Sequence, residues 1–250
     1  MVLHRVLRER GRATAKVCRS VVSGVCGLAV RRDALRSNPV RDVGNLERGE
    51  RRSARALTAV EAQEWLRVVD ADPYAVRKDL PDLTRFLLGT GVRIGEALGV
   101  GWSDVDLVGG LVSIRSTVVR VKGVGLVAKS PKTEAGVRVL QLPRWLIEVL
   151  KRRHANSGDG PVFPDAEGGY RDRNNVERDY RLVREGTPFT WVVPHTYRKT
   201  VATMLDHGGL SARVVADLLG HARISMTQDV YMGRHVLHPS AALTLEALGE

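Results

Sequence analysis

Apolar residues first recur at three- and four-residue intervals in Val17, Val21, Val25 and Leu28, with Arg19, Arg31 and Arg32 around them. That period predicts an amphipathic helix over about residues 14–35, ended at Ser37-Asn38-Pro39 because the residue before a proline is pushed out of the helical region. The Arg/Glu/Gly-rich stretch over about 40–55 offers little to pack and predicts a linker. Thr58 then stands three residues before Glu61, the capping-box spacing that opens a helix. Helices are expected over about 58–71, 79–90 and 93–100. Alternation over 111–127 and 137–142 predicts a small antiparallel sheet, with Glu134-Ala135-Gly136 as its turn, since glycine tolerates positive φ. Further helical periods fall over about 143–155, 172–185, 195–207, 211–219, 225–232 and 239–248. The expected fold is mostly α with a small antiparallel β-sheet, an α+β architecture. Residues 1–36 form a first helical region, 37–56 a linker and 57–250 the main domain.

A chain of 250 residues that is 43% hydrophobic can bury a substantial core. No apolar run approaches the roughly 20 residues needed to span a bilayer. The basic N-terminus followed by residues 21–30 imitates a leader peptide, but the helical spacing suits an amphipathic helix better, so a cytoplasmic protein without a membrane partner is expected. Cys18 and Cys26 would lie about 12 Å apart along one helix, too far for a disulfide. Neither a Cys-x-x-Cys pair nor a His-Glu-x-x-His helix is present, and no metal or other cofactor is expected.

The formal charge of +11 suggests a polyanionic partner, nucleic acid before membrane. Its distribution refines that picture. Residues 1–56 hold 14 Lys/Arg against 5 Asp/Glu, whereas residues 57–250 hold 25 against 23. The arm carries the general field, and the larger part must bind phosphate through a few placed cations.

Arg93 follows the Gly-rich turn Thr90-Gly91-Val92 and opens a helix, where a guanidinium fork and helix-start amides can face one anion. The alternative is a simple Arg93–Glu96 pair at i, i+3. In Pro194-His195-Thr196-Tyr197-Arg198, the i, i+3 spacing places His195 and Arg198 on one helix face, as a surface pair or as part of a site. His221 follows Leu218-Leu219-Gly220, a helix end with a glycine cap. Tyr231, ten residues on, reads alone as a half-buried aromatic.

Taken together, Arg93, Lys132, His195-x-x-Arg198, His221 and Tyr231, each in its flanks, resemble the tyrosine recombinase or phage integrase family over roughly residues 57–250. Thr90–Leu98 resembles the family's first arginine box. Pro194–Thr200 through His221 and Tyr231 resembles the second, and Ser130-Pro131-Lys132-Thr133-Glu134-Ala135-Gly136-Val137-Arg138-Val139 resembles the hairpin lysine segment, with Lys122 and Lys129 as other candidates for the lysine. The resemblance implies a tyrosine recombinase catalytic-domain-like fold and a site-specific recombinase acting on double-stranded DNA through a 3′-phosphotyrosyl link. Tyr231 would attack, His195 would take its proton, and Arg93, Arg198 and His221 would hold the phosphate oxygens. Lys132 would protonate the leaving oxygen, while Glu96 would orient a helix or buttress Arg93 and not transfer a proton. It also implies a homotetramer on DNA and an accessory DNA-bending or excision factor. Residues 241–248 would dock on a neighbouring protomer or pack on their own domain.

Family members usually carry a complete helical core-binding domain ahead of the catalytic one, and residues 1–36 suffice for about one helix of it. An abbreviated chain is therefore expected, and an inactive, DNA-binding remnant is one alternative. A type IB topoisomerase, which rejoins the original strand, is another.

Overall fold

The computed structural model describes residues 2–43, 55–131 and 136–220. Lys132, His221, Tyr231 and the helices expected over 225–232 and 239–248 lie outside these residues. The chain divides into two compact units, Met1–Arg52 and Ser53–Glu250.

In the first unit, α1 (Val2–Arg31) starts well before the expected residue 14, continuing through a kink at Gly11, whose φ of 78° suits only glycine. It ends before Pro39 is reached. Asp33 adopts a left-handed conformation (φ 56°), and the amides of Arg32 and Asp33 close on Leu28 and Val30. The following residues fold back along the helix. Asn38 Nδ2 donates to the Ser23 carbonyl at 2.9 Å, and Arg19 Nη2 donates to the Val43 carbonyl at 2.8 Å. The predicted apolar stripe faces outward, with Val17, Val21 and Val25 each more than 60% exposed. By length and composition alone, Arg5–Arg31 is long and apolar enough to cross a membrane, though Arg5, Arg8, Glu9, Arg10, Arg12, Lys16, Arg19 and Arg31 all fall within it.

The second unit opens at α2 (Ala59–Ala71) with the expected capping box. Thr58 Oγ1 accepts from the Glu61 amide at 3.2 Å, and Glu61 Oε2 accepts from the Thr58 amide at 2.9 Å. A short helix that the periodicity did not reveal, α3 (Pro73–Arg77), follows, because Asp72 Oδ1 caps the amides of Tyr74 and Ala75 and Pro73 fits the first turn. Then come α4 (Leu80–Thr90) and α5 (Ile94–Ala97), the latter shorter than expected.

Strand alternation over 111–127 splits into two separate sheets. β1 (Val105–Asp106), β2 (Leu111–Ile114) and β5 (Arg138–Gln141) form a three-stranded antiparallel sheet in the order β1-β2-β5. β3 (Thr117–Val121) and β4 (Gly125–Lys129) form a hairpin that turns at Lys122-Gly123-Val124, while residues 134 and 135 of the expected turn lie outside the described residues. The break lies at Arg115-Ser116. Arg115 Nε reaches Asp104 at 2.7 Å and Ser116 Oγ reaches the Gly99 carbonyl at 2.9 Å, so side-chain bonds turn the chain out of the ladder.

The remaining helices are α6 (Arg144–His154), α7 (Arg173–Arg184), α8 (Pro194–His207) and α9 (Ala212–Leu219). Helix α8 lies against α4 and α9. The fully buried Trp65, Leu83, Phe86, Ile114, Leu146 and Tyr180 belong to one core shared by helices and sheet. Several polar groups inside it are paired. Trp65 Nε1 donates to Tyr197 Oη at 2.8 Å, Thr84 Oγ1 bonds Tyr180 Oη at 2.9 Å, and the Leu57 amide donates to Thr200 Oγ1 at 2.9 Å. Two of these three bonds end on α8, which fixes the helix that carries His195 and Arg198.

Candidate active site

Helix α4 stops at Gly91, whose φ is 65°. A Cβ at this position would also come within 2.9 Å of Leu219 Cδ2 and Val201 Cγ1, so both conformation and space require glycine. The tight turn delivers Arg93 to the start of α5. There the Glu96 carboxylate accepts from the Arg93 amide at 3.0 Å and from Arg93 Nη1 at 2.8 Å. The pair anticipated from the i, i+3 spacing therefore exists, and Arg93 is nonetheless open to a cavity.

Glu96 has a second cationic partner. Arg138, the first residue of β5, donates from Nη2 to Glu96 Oε2 at 2.9 Å. Burial alone would raise the Glu96 pKa, but the charges and hydrogen bonds of Arg138 and Arg93 outweigh it and hold the carboxyl below its usual range. Glu96 is thus an anion that orients two guanidinium groups, which agrees with the buttressing role expected for it.

Pro194 occupies the first turn of α8, and His195 and Arg198 follow it. Arg198 is almost entirely buried. Its Nη1 donates to the Gly91 carbonyl at 3.0 Å and its Nη2 to the Leu219 carbonyl at 2.6 Å, joining the first turn to the end of α9. His195 sits at the surface end of the same helix face. Its partial burial, then the positive charges of Arg198, Arg93 and Lys199, lower its pKa, which favours the neutral imidazole, the form that accepts a proton.

Arg93, His195 and Arg198 line one cavity of about 130 Å³. Two further side chains enter from α7: Arg173 and Glu177, linked by a 2.8 Å hydrogen bond from Arg173 Nε to Glu177 Oε1. Lys199, buried beside Arg198 on α8, has its pKa lowered by desolvation. Clefts of about 440 and 650 Å³ lie elsewhere in this unit; arginine and aspartate line both, and neither includes a histidine. Arg138, Arg173 and Glu177 carry no mark in the sequence that would single them out. Arg173 and Glu177 pair locally at i, i+4, but they come to the cavity of Arg93 and His195, and Arg138 comes to Glu96, through tertiary packing.

Of the lysine candidates, Lys122 lies in the β3–β4 turn and Lys129 ends β4, both exposed. Lys132, His221 and Tyr231 fall outside the described residues. Gly220, directly before His221, caps α9 in the left-handed conformation (φ 68°), as its sequence context suggested. Among the described residues, no group of three or more His, Cys, Asp or Glu side chains converges as metal ligands would.

Comparison with known proteins places this geometry. The chain is 31% identical over 192 residues to a tyrosine recombinase XerC-like protein of Caldanaerobacter subterraneus subsp. tengcongensis, covering 66% of this chain and 48% of that protein. It is 29% identical over 183 residues to the Tn916 transposase of Enterococcus faecalis, covering 66% and 44%. The chain thus spans about half the length of these relatives. In fold it resembles the Tn1549 transposon integrase, solved in complex with a circular intermediate DNA, with a TM-score of 0.79 at 22% identity, over 98% of this chain and 83% of that one. The profile of the phage integrase family matches residues 55–236, a span that holds every one of the motifs above, and the chain belongs to that family.

Proposed function

We propose that residues 57–250 are the catalytic domain of a site-specific DNA recombinase that cleaves and rejoins strands through a 3′-phosphotyrosyl intermediate. The observation that carries this reading is the convergence of Arg93, His195 and Arg198, far apart in sequence, on one small cationic cavity. Attack by Tyr231 on a phosphodiester requires a proton acceptor, because an unperturbed phenol has a pKa of about 10. A neutral His195 among three cations suits that task. As negative charge grows on the non-bridging oxygens, Arg93 and Arg198 stabilise it from prepositioned forks. Lys132 donates the proton to the leaving 5′-oxygen, and His221 adds a hydrogen bond to the phosphate. Because the phosphotyrosyl link conserves the energy of the broken bond, rejoining needs no nucleotide cofactor.

Phosphate contacts position a duplex without reading it, so the cavity alone does not choose a DNA site. We assign residues 1–36 to part of a DNA-clamping helical region and 37–56 to its linker. The partners are double-stranded DNA, three further copies in a homotetramer, and an accessory DNA-bending or excision factor; the setting is the cytoplasm. DNA-bound integrase structures of the same fold and the family membership support this reading.

The test is incubation of the chain with nicked suicide DNA substrates, followed by denaturing electrophoresis. A denaturation-resistant adduct is expected, and Tyr231→Phe should abolish it. DNA binding without any adduct would instead favour a binding remnant.

A further inference from the structure

Arg138 lies in the Ser130–Val139 segment that carries Lys132, with no role expected of it there, and its guanidinium ties that segment to two distant parts of the chain. Its Nη2 holds Glu96 Oε2 at 2.9 Å, its Nε holds the Leu218 carbonyl at 2.8 Å, and its Nη1 holds the Gly136 carbonyl at 3.1 Å. These three partners flank three expected site residues. Glu96 is the carboxylate that grips Arg93. Gly136 lies four residues after Lys132, and Leu218 lies three residues before His221 on the chain that continues to Tyr231. Arg198 takes the very next carbonyl, that of Leu219, so the last two carbonyls of α9 each end on an arginine.

We propose that Arg138 is a positioning residue that holds Glu96, and through it Arg93, in one geometry with Gly136 and the end of α9, the described residues nearest in sequence to Lys132 and His221. The inference deepens the recombinase reading and rests on it for its catalytic consequence. A planar guanidinium with donors in fixed directions can hold three acceptors in one mutual geometry, which a flexible ammonium cannot. The side chains of Arg138 and Glu96 are each only 7% exposed. Buried ion pairs are inefficient stabilisers, often replaceable by apolar groups without loss, so one wired to three segments is better explained by the geometry it enforces. The cation at the end of α9 also meets the negative end of the helix dipole.

The discriminating variant is Arg138→Lys, which keeps the charge beside Glu96 and loses the fork; Arg138→Ala serves as a comparison, and its failure to fold would leave the lysine variant decisive. Full-length chains are assayed for DNA affinity, for single-turnover adduct formation at saturating suicide DNA, and for amide hydrogen exchange over residues 212–231. Arg138→Lys is expected to bind DNA about as tightly as wild type, to form adduct about 100-fold more slowly, and to exchange faster beyond Leu218. Adduct formation within about threefold of wild type would overturn the proposal. So would a loss of affinity and rate in parallel. If the wild type itself forms no adduct, the recombinase reading falls alone: faster exchange in Arg138→Lys still supports positioning, and unchanged exchange overturns it.

Discussion

The two units place the same hydrophobic period in opposite circumstances. On α1, Val17, Val21 and Val25 repeat every four residues and remain more than 60% exposed. On α4, Leu80, Leu83 and Leu87 repeat every three to four residues and are fully buried. Periodicity therefore reports which face of a helix is apolar; whether that face is covered depends on elements far away in the chain. Charge divides the units in a parallel way. Residues 1–56 carry a large excess of cations over anions, while residues 57–250 are nearly balanced. In the second unit the cations matter by placement, as Arg93, Arg138 and Arg198 do through their named partners.

The sharpest test of the packing contrast is a pair of truncations. Leu83→Ala should cost roughly 2–5 kcal/mol, since it removes buried methyl groups and leaves a cavity in the core. Val21→Ala should change stability by no more than about 0.5 kcal/mol. Both are read by urea denaturation followed by circular dichroism. Equal losses would mean that the α1 stripe is covered in solution.

A second test addresses the charge contrast. Removing residues 1–36 should flatten the dependence of log affinity on log salt by about 0.9 for each phosphate that this arm neutralises. Fluorescence anisotropy with duplex DNA across a salt series measures it. An unchanged slope would assign DNA binding to the second unit's placed cations alone.

The smallest expected effect is on pH. The lowered pKa of His195 keeps it neutral above its usual value of about 6.5. If it is the base, single-turnover cleavage stays level from about pH 6.5 upward as far as this group is concerned and declines only on the acid side. The sign for stability is the same. A folded-state pKa below the unfolded value contributes stability that is complete above about pH 6.5 and is lost as pH falls through the lower folded value. Glu96, also lowered, follows this rule in its own range: its contribution is present above the unfolded carboxyl pKa of about 4.3 and lost below it. An acid limb centred above pH 6.5 in the rate profile would remove His195 from the role of base.

Much of the second unit was legible in sequence because its signals are local. The Thr58–Glu61 capping box, the glycine cap at Gly220 and the helix starts at Arg93 and Pro194 are each decided within a few residues, and the structure places them there. The sheet was harder. Alternation through Arg115 and Ser116 looks continuous, and only their bonds to Asp104 and Gly99, 11 and 17 residues back, divide it. The partners of Arg138 and Arg173 escaped for the same reason: an arginine at a strand or helix start carries no local mark of the group it will meet. Arg138 meets Leu218 across 80 residues, and Arg173 joins His195 only because α7 and α8 border one cavity.

Gly91 has a consequence for inheritance. Every amino acid other than glycine has a Cβ, so every missense change in this codon inserts an atom where Leu219 and Val201 already stand, in a left-handed turn that resists it. The turn's carbonyl is also one of the two that Arg198 grips. In a lineage released from selection, this codon has no harmless replacement, and a single change there would disturb α8, α9 and the cavity that α5, α7 and α8 border together.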